Sequence, residues 1–209
     1  MRFFYCIDKL SIMRFFLTIF IFIFIVQSSI KADDIRDFQI EGMSVGDSAL
    51  EYFSEVELNK NKQYYKNSKS KTFFLTNVYS SNFKKYDNIM FHFKDNDPEY
   101  IIHSIAGAIY FKDDGIKNIE DCMIQRKEID TDFQKLFKNS VRTIKDNNPH
   151  EGDPTGNTFE HAVYYWFADT SVAFISCNDY SKSFGGNNHL KVAVVSSDLS
   201  YWLNNIAYD

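Results

Sequence analysis

Apolar residues in this chain recur with two periods, and the places where one period gives way to the other divide it into elements. The segments "TFFLTNVY" (72–79), "NIMFHF" (88–93) and "YIIHSIAGAIYF" (100–111) are rich in aromatic and β-branched residues. They read as three strands, the last two joined by the turn "KDNDPE". "TFEHAVYYWFA" (158–168) and "SVAFISC" (171–177) follow the same pattern on either side of Asp169 and Thr170, which predicts an antiparallel hairpin, and "LKVAVVS" (190–196) is a sixth strand.

Helical spacing takes over elsewhere. Ile119, Cys122, Arg126, Ile129, Phe133 and Leu136 recur at three and four residues, with Asn118 placed to cap and Glu120 and Asp121 in the first turn. Near the end of the chain Leu199, Trp202, Leu203 and Ile206 form one stripe behind a cap at Ser197. In "IEGMSVGDSALEYF" (40–53), Ser44 with Asp47 and Ser48 with Glu51 both fit a capping box. Val45, Ala49, Phe53 and Val56 would then share the buried face of a first helix, with Leu50 at its edge. Residues 59–71, "NKNKQYYKNSKSK", and 145–157, "KDNNPHEGDPTGN", have no apolar period and read as a mobile polar connector and a loop. The order helix, three strands, helix, three strands, helix predicts a single α+β domain: a mainly antiparallel sheet of about six strands with helices on one face.

The first residues change the picture of where this domain works. Arg14 is followed by twelve uncharged, mostly apolar residues, Phe15 to Val26, and then by "QSSIKADD". That is the pattern of a secretory signal peptide over 1–32, too short for a spanning helix of roughly 20 apolar residues, with cleavage expected near Ala32. "MRFF" occurs at Met1 and again at Met13, which points to Met13 as an alternative start. The expected address is the periplasm or the outside of the cell, and the mature chain is 33–209.

Loss of Arg2, Lys9, Arg14, Lys31 and Asp8 with the leader takes the net charge from −5 to about −8. An acidic chain without a basic patch argues against nucleic acid and against an anionic membrane surface as partners. Lys, Asn, Ile, Phe and Tyr are abundant and Arg, Pro and Gly scarce, a bias toward AT-rich codons, so lysine excess by itself carries no functional weight. Cys122 and Cys177 remain after processing, in a compartment where disulfides persist, and are expected to pair.

Local motifs that resemble chemistry have structural explanations. "GDPTGNT" lacks the spacing, the Lys and the following helix of a phosphate loop. "DNDPEY" has Asp95, Asp97 and Glu99 at alternate positions like a calcium loop, but Tyr100 and Ala106 stand where Gly and Glu are needed. His92, His103 and His161 lie inside strands. One constellation follows from topology. If 158–177 is a hairpin, the loops before and after it lie at the same end of the sheet. His150, Glu151 and Asp153 would then lie near Asn178, Asp179 and His189. Such a set could hold a small polar ligand or a divalent cation.

"IEGMSVGDSALEYF" after a signal peptide, followed by "YDNIMFHFKDNDPEYIIHSIAGAIYF", "NIEDCMIQRKEI" and "VAFISCNDY", resembles a group of uncharacterised secreted proteins of marine alphaproteobacteria, over nearly the whole mature chain. The resemblance implies secretion and the Cys122–Cys177 pairing, and it brings no activity or cofactor with it. The expected function is non-catalytic binding of a small polar ligand or an envelope protein. A small, metal-dependent hydrolase sited around His150 and His189 is the alternative.

Overall fold

The structure, a computed structural model, describes residues 34–66, 68–150 and 152–207. The expected signal peptide, its cleavage point and Glu151 lie outside the described residues.

Seven strands form one antiparallel sheet: β1 (Phe73–Val78), β2 (Asn88–Lys94), β3 (Ser104–Tyr110), β4 (Val141–Pro149), β5 (Phe159–Trp166), β6 (Val172–Asp179) and β7 (His189–Val195). Their order is β1-β2-β3-β7-β6-β5-β4. Two meanders, β1–β3 and β4–β7, thus meet edge to edge where β3 pairs with β7. The chain passes from β3 to the far edge through α2 (Ile119–Leu136), which packs across β6 and β7. A short α1 (Glu55–Lys60) precedes β1, and α3 (Ser197–Asn205) follows β7.

Alternation along each strand gives the sheet two different faces. Phe91 and Phe93 of β2, Ile105 of β3, Tyr165 of β5, Ile175 of β6 and Val192 of β7 point to the first face, where they form the main core with α1, α2 and the segment from Ile35 to Ala49. Phe133 and Phe137 close this core against Tyr165 and Phe38 by edge and tilted ring contacts. Cys122 of α2 is bonded to Cys177 of β6 inside the core, as the sequence leads one to expect. The crosslink spans 55 residues, so in the chain-entropy picture it contributes about 4 kcal/mol.

The second face carries a smaller cluster. Leu199 and Trp202 of α3 cover Phe73, Val172 and Val195 at one end of the sheet. Helices therefore lie on both faces, which corrects the one-face expectation, because β1, β6 and β7 are apolar on both faces at that end. The cap of α3 is Ser196 rather than Ser197, and Ile206 is exposed while Ala207 is buried.

The missing seventh strand is β4, which occupies part of the expected 145–157 loop. Its residues are almost all exposed, and a bulge lies between Lys145 and Asn148. Without a buried alternate row it has no apolar period to reveal it. Charge holds it to α2. Arg142 donates two hydrogen bonds to Asp130, at 2.8 and 2.5 Å, and Arg126 donates to Asp146 at 2.5 Å. Tyr165 also donates to Asp130. Burial alone would raise the Asp130 carboxyl, but these donors and the two guanidinium charges outweigh it and hold its pKa below the usual value.

The expected first helix is the largest correction. Ile40 and Met43 exchange backbone hydrogen bonds around Glu41 and Gly42, both at positive φ, which makes a tight hairpin turn. Ser44 caps no helix. Its N–H donates to Asp47 at 2.8 Å, and its hydroxyl donates to the carbonyl of Phe38. Ser48 caps only the single 3-10 turn Ala49–Glu51, and the true capping box is Ser54 with Glu57, at the start of α1. Gly46 at φ 98° lies outside the helical range. The connector 59–71 is also tied down, since Gln63 pairs with Leu75 and both Lys62 and Tyr64 donate to Asp95.

Candidate functional site

The stretch 38–53 frames a large cavity of the described residues. After the turn at Glu41 and Gly42, the chain runs antiparallel to residues 99–102. Gly46 donates to the carbonyl of Ile102, Ala49 donates to that of Tyr100, and the Ser48 hydroxyl donates to that of Glu99 at 2.6 Å. This seam fixes one wall. The opposite wall is the β1–β2 connection, tied across by the Glu41 carboxylate, which accepts the N–H groups of Lys84 and Lys85 at 2.8–3.0 Å. Tyr52 donates to the carbonyl of Gly42 and closes the rim.

The cavity, open to solvent on one side, measures about 910 Å³ and is lined by Phe38, Met43, Phe53 and Phe83 together with Glu51, Glu57, Lys84 and Lys85. It continues past Phe38 and Tyr86 into a cleft of about 310 Å³ between α2 and the sheet, lined by Ile129, Phe133 and Leu190. Tyr86 stands between the two spaces. Its ring lies flat over Gly107 of β3, where an added Cβ would sit 2.4 Å from the ring. Burial, with help from Glu41, pushes its hydroxyl up to about 12, so it is a neutral donor at any physiological pH.

The loops singled out by topology do come together. Asp153, buried, accepts from Thr158 at 2.6 Å, from Thr155 twice and from Ser181 at 3.0 Å, which joins the loop before β5 to the one after β6. The bond from Thr158, with the others, holds the carboxyl well below the usual carboxylate range. The His150 ring accepts from Gly152 and packs on Phe184 and Tyr180, and the Tyr180 ring in turn stacks on His189. An aromatic ring therefore stands between the two histidines. His189 bonds the Asn187 carbonyl through Nδ1 and meets Asn178 through Nε2, while burial lowers its pKa to about 4. Asp179 accepts from Asn188. The polar groups of this end are spent on one another. Among the described residues no three His, Cys, Asp or Glu side chains are grouped so that they could hold a metal ion.

His92, His103 and His161 do not converge. His92 and His103 take Tyr65 and Ser196 as partners, whereas the His161 ring accepts from Asn147. No helix of the described residues is long and apolar enough to cross a membrane.

No protein-family model matches the chain, and a search of curated proteins gives no match. The geometry therefore stands alone, and it ranks the cavity framed by 38–53 above the loops at His150 and His189. Sequence reasoning missed this cavity because its walls come from 38–57 and 78–86, and only their glycines and aromatic residues hint at a loop surface.

Proposed function

We propose that this is a non-catalytic binding domain of the extracytoplasmic space whose ligand is a small amphipathic molecule held in the 38–53 cavity. The observation that carries this reading is a cavity of about 910 Å³ with an aromatic floor and a charged rim. Such dimensions and lining suit a small molecule whose apolar body is buried and whose polar end stays near water. The hydrogen bonds of Glu41 and Tyr52 across the opening support a site formed before the ligand arrives. The signal-peptide pattern and the Cys122–Cys177 bond support the address. Binding to an envelope protein remains compatible with the same surface, since Val56, Leu50 and Tyr79 are exposed around it.

The test is titration of the purified protein with the amphipathic fluorophore 1-anilinonaphthalene-8-sulfonate. One-to-one, saturable enhancement that is lost in Phe83→Glu is expected, because Phe83 reaches the floor from an exposed connection. Enhancement that never saturates, or that survives Phe83→Glu, would place the probe elsewhere and count against the cavity.

A further inference from the structure

The 38–53 cavity and the cleft between α2 and the sheet share three lining residues, Phe38, Lys85 and Tyr86, and differ in character. The cavity is wide and carries charges. The cleft, about 310 Å³, is lined by the half-buried Ile109, Ile129 and Leu136 and the buried Phe133, Leu190 and Val192. Its polar residues are the exposed Lys85, Gln125 and Asp132, and Asp132 is paired with Lys135 at 2.9 Å. A wet space therefore adjoins a dry one.

Gly107 shapes the neck between them. It lies on the first face between Ile89 and Val192 of the neighbouring strands, and the Tyr86 ring occupies the place a side chain there would take. A glycine inside a strand gives up packing, and one reason to keep it is the close approach of another group. Here it lets the ring lie against the strand instead of standing across the neck.

The rim favours one sign of charge. Glu57 accepts from the N–H and the hydroxyl of Ser54 at 2.9 and 2.6 Å, and Glu41 accepts from the N–H groups of Lys84 and Lys85, so the oxygens of both acids are already engaged. The ammonium groups of Lys84 and Lys85 have no hydrogen bond or ion pair among the described residues, and they face a single unengaged rim acid, Glu51. Lys85 is also the charged residue that both linings share.

We propose that the ligand is a single-chain fatty carboxylate, with its head at Lys84 and Lys85 and its chain laid over the aromatic floor, past Tyr86 and into the cleft between α2 and the sheet. This rests on the amphipathic-ligand reading of the cavity and adds the sign of the head, the shape of the body and a second compartment. A rigid fused-ring body fills the wide space but cannot bend past Phe38 and Tyr86, whereas an alkyl chain can. Each methylene taken from water is worth up to about fourfold in affinity, so the cleft rewards length.

The test is NMR titration of the ¹⁵N-labelled protein with hexanoate, octanoate, decanoate and dodecanoate, each below its micelle concentration, beside dodecyltrimethylammonium, which reverses the head charge. Affinity should rise along the acid series. Hexanoate should shift the amides of Phe53 and Phe83, and the longer acids should add Ile129, Leu136 and Val192. Dodecyltrimethylammonium should bind more weakly than dodecanoate. The Lys84→Gln, Lys85→Gln double variant keeps the N–H groups that hold Glu41; it should weaken dodecanoate about tenfold, the scale of one charge-assisted hydrogen bond. Ile129→Trp fills the cleft from α2, so dodecanoate should then bind no better than octanoate, and Leu136→Trp serves if that variant does not fold. The proposal is overturned if dodecanoate gives no saturable shift, if affinity is indifferent to chain length, or if the cationic amphiphile binds as tightly. Saturable binding of 1-anilinonaphthalene-8-sulfonate that is lost in Phe83→Glu, with no binding of dodecanoate, would overturn the fatty carboxylate and leave the cavity reading standing. Failure of both probes would remove both.

Discussion

The two faces of the sheet are built from the same strands, yet they solve different problems. The first face is packed around large rings and a covalent tie: Phe91 and Phe93 stack on each other, Tyr165 meets Phe133 and Phe137, and α2 is bonded through Cys122. On the second face α3 and its cluster cover only one end, and the middle holds alanines, a serine, two buried polar groups short of partners and an unpaired lysine. Stability is concentrated on one side. The other side keeps buried polar groups short of partners, at some cost in stability.

Removing the covalent tie of the first face should have the largest effect. Replacing Cys122 and Cys177 together by Ser should cost about 4 kcal/mol, read as a lowered urea midpoint, because the 55-residue loop regains its freedom when unfolded. Hydrogen exchange should then speed up in α2 well before it does in α3. Equal acceleration in both helices would mean that the faces are not energetically separate.

The reciprocal change on the second face is Trp202→Ala, which empties the centre of the smaller cluster. A loss of about 3 kcal/mol is expected for a large buried side chain. Because Trp202 packs on Phe73 and Tyr65 and not on the main core, exchange should quicken in α3 and at the start of β1, leaving α2 protected. A uniform loss across both helices would again erase the distinction.

Much of this architecture was legible in the chain, and the exceptions have physical causes. Strands β1, β2, β3, β5, β6 and β7 announce themselves because each buries at least one alternate row. So do α2, through the stripe that carries Cys122, and α3, through Leu199 and Trp202. β4 hides because it is an edge strand whose Val141 and Ile144 face water, and its attachment through Arg142 and Asp130 links residues twelve apart with no local signature. The 40–53 stretch misleads because a Ser with an acid three residues on also closes a turn, and positive φ at Glu41, Gly42 and Gly46 decides for the turn. The nearness of the His150 and His189 loops follows from the hairpin and is present. Their lack of a shared centre depends on where the Tyr180 ring falls. The cavity cannot be seen without the tertiary fold, and Lys191 alone reads as an ordinary outward position in "LKVAVVS".

Acid should separate the faces further. His92 and His189 both point to the second face, and burial lowers their pKa values to about 3 and about 4. In the unfolded chain a histidine takes up its proton near about 6.5. Below that pH the unfolded state binds more protons, so stability is full above it and declines as pH falls toward the folded values. Urea midpoints should correspond to a loss of about 4 kcal/mol between pH 7 and 5, about 2 from each histidine, and His92→Phe should roughly halve the slope. A midpoint indifferent to pH over this range would show that the second face is not dry.

The smallest effect falls on Lys191. Lys191→Met keeps the length of the side chain and its contact with Phe174 while removing a charge that nothing in the fold balances. A residue retained for stability would lower the melting temperature when replaced. Lys191→Met should instead raise it, by about 1 kcal/mol of recovered desolvation. A variant less stable than the wild type would assign the ammonium a part in holding the second face together.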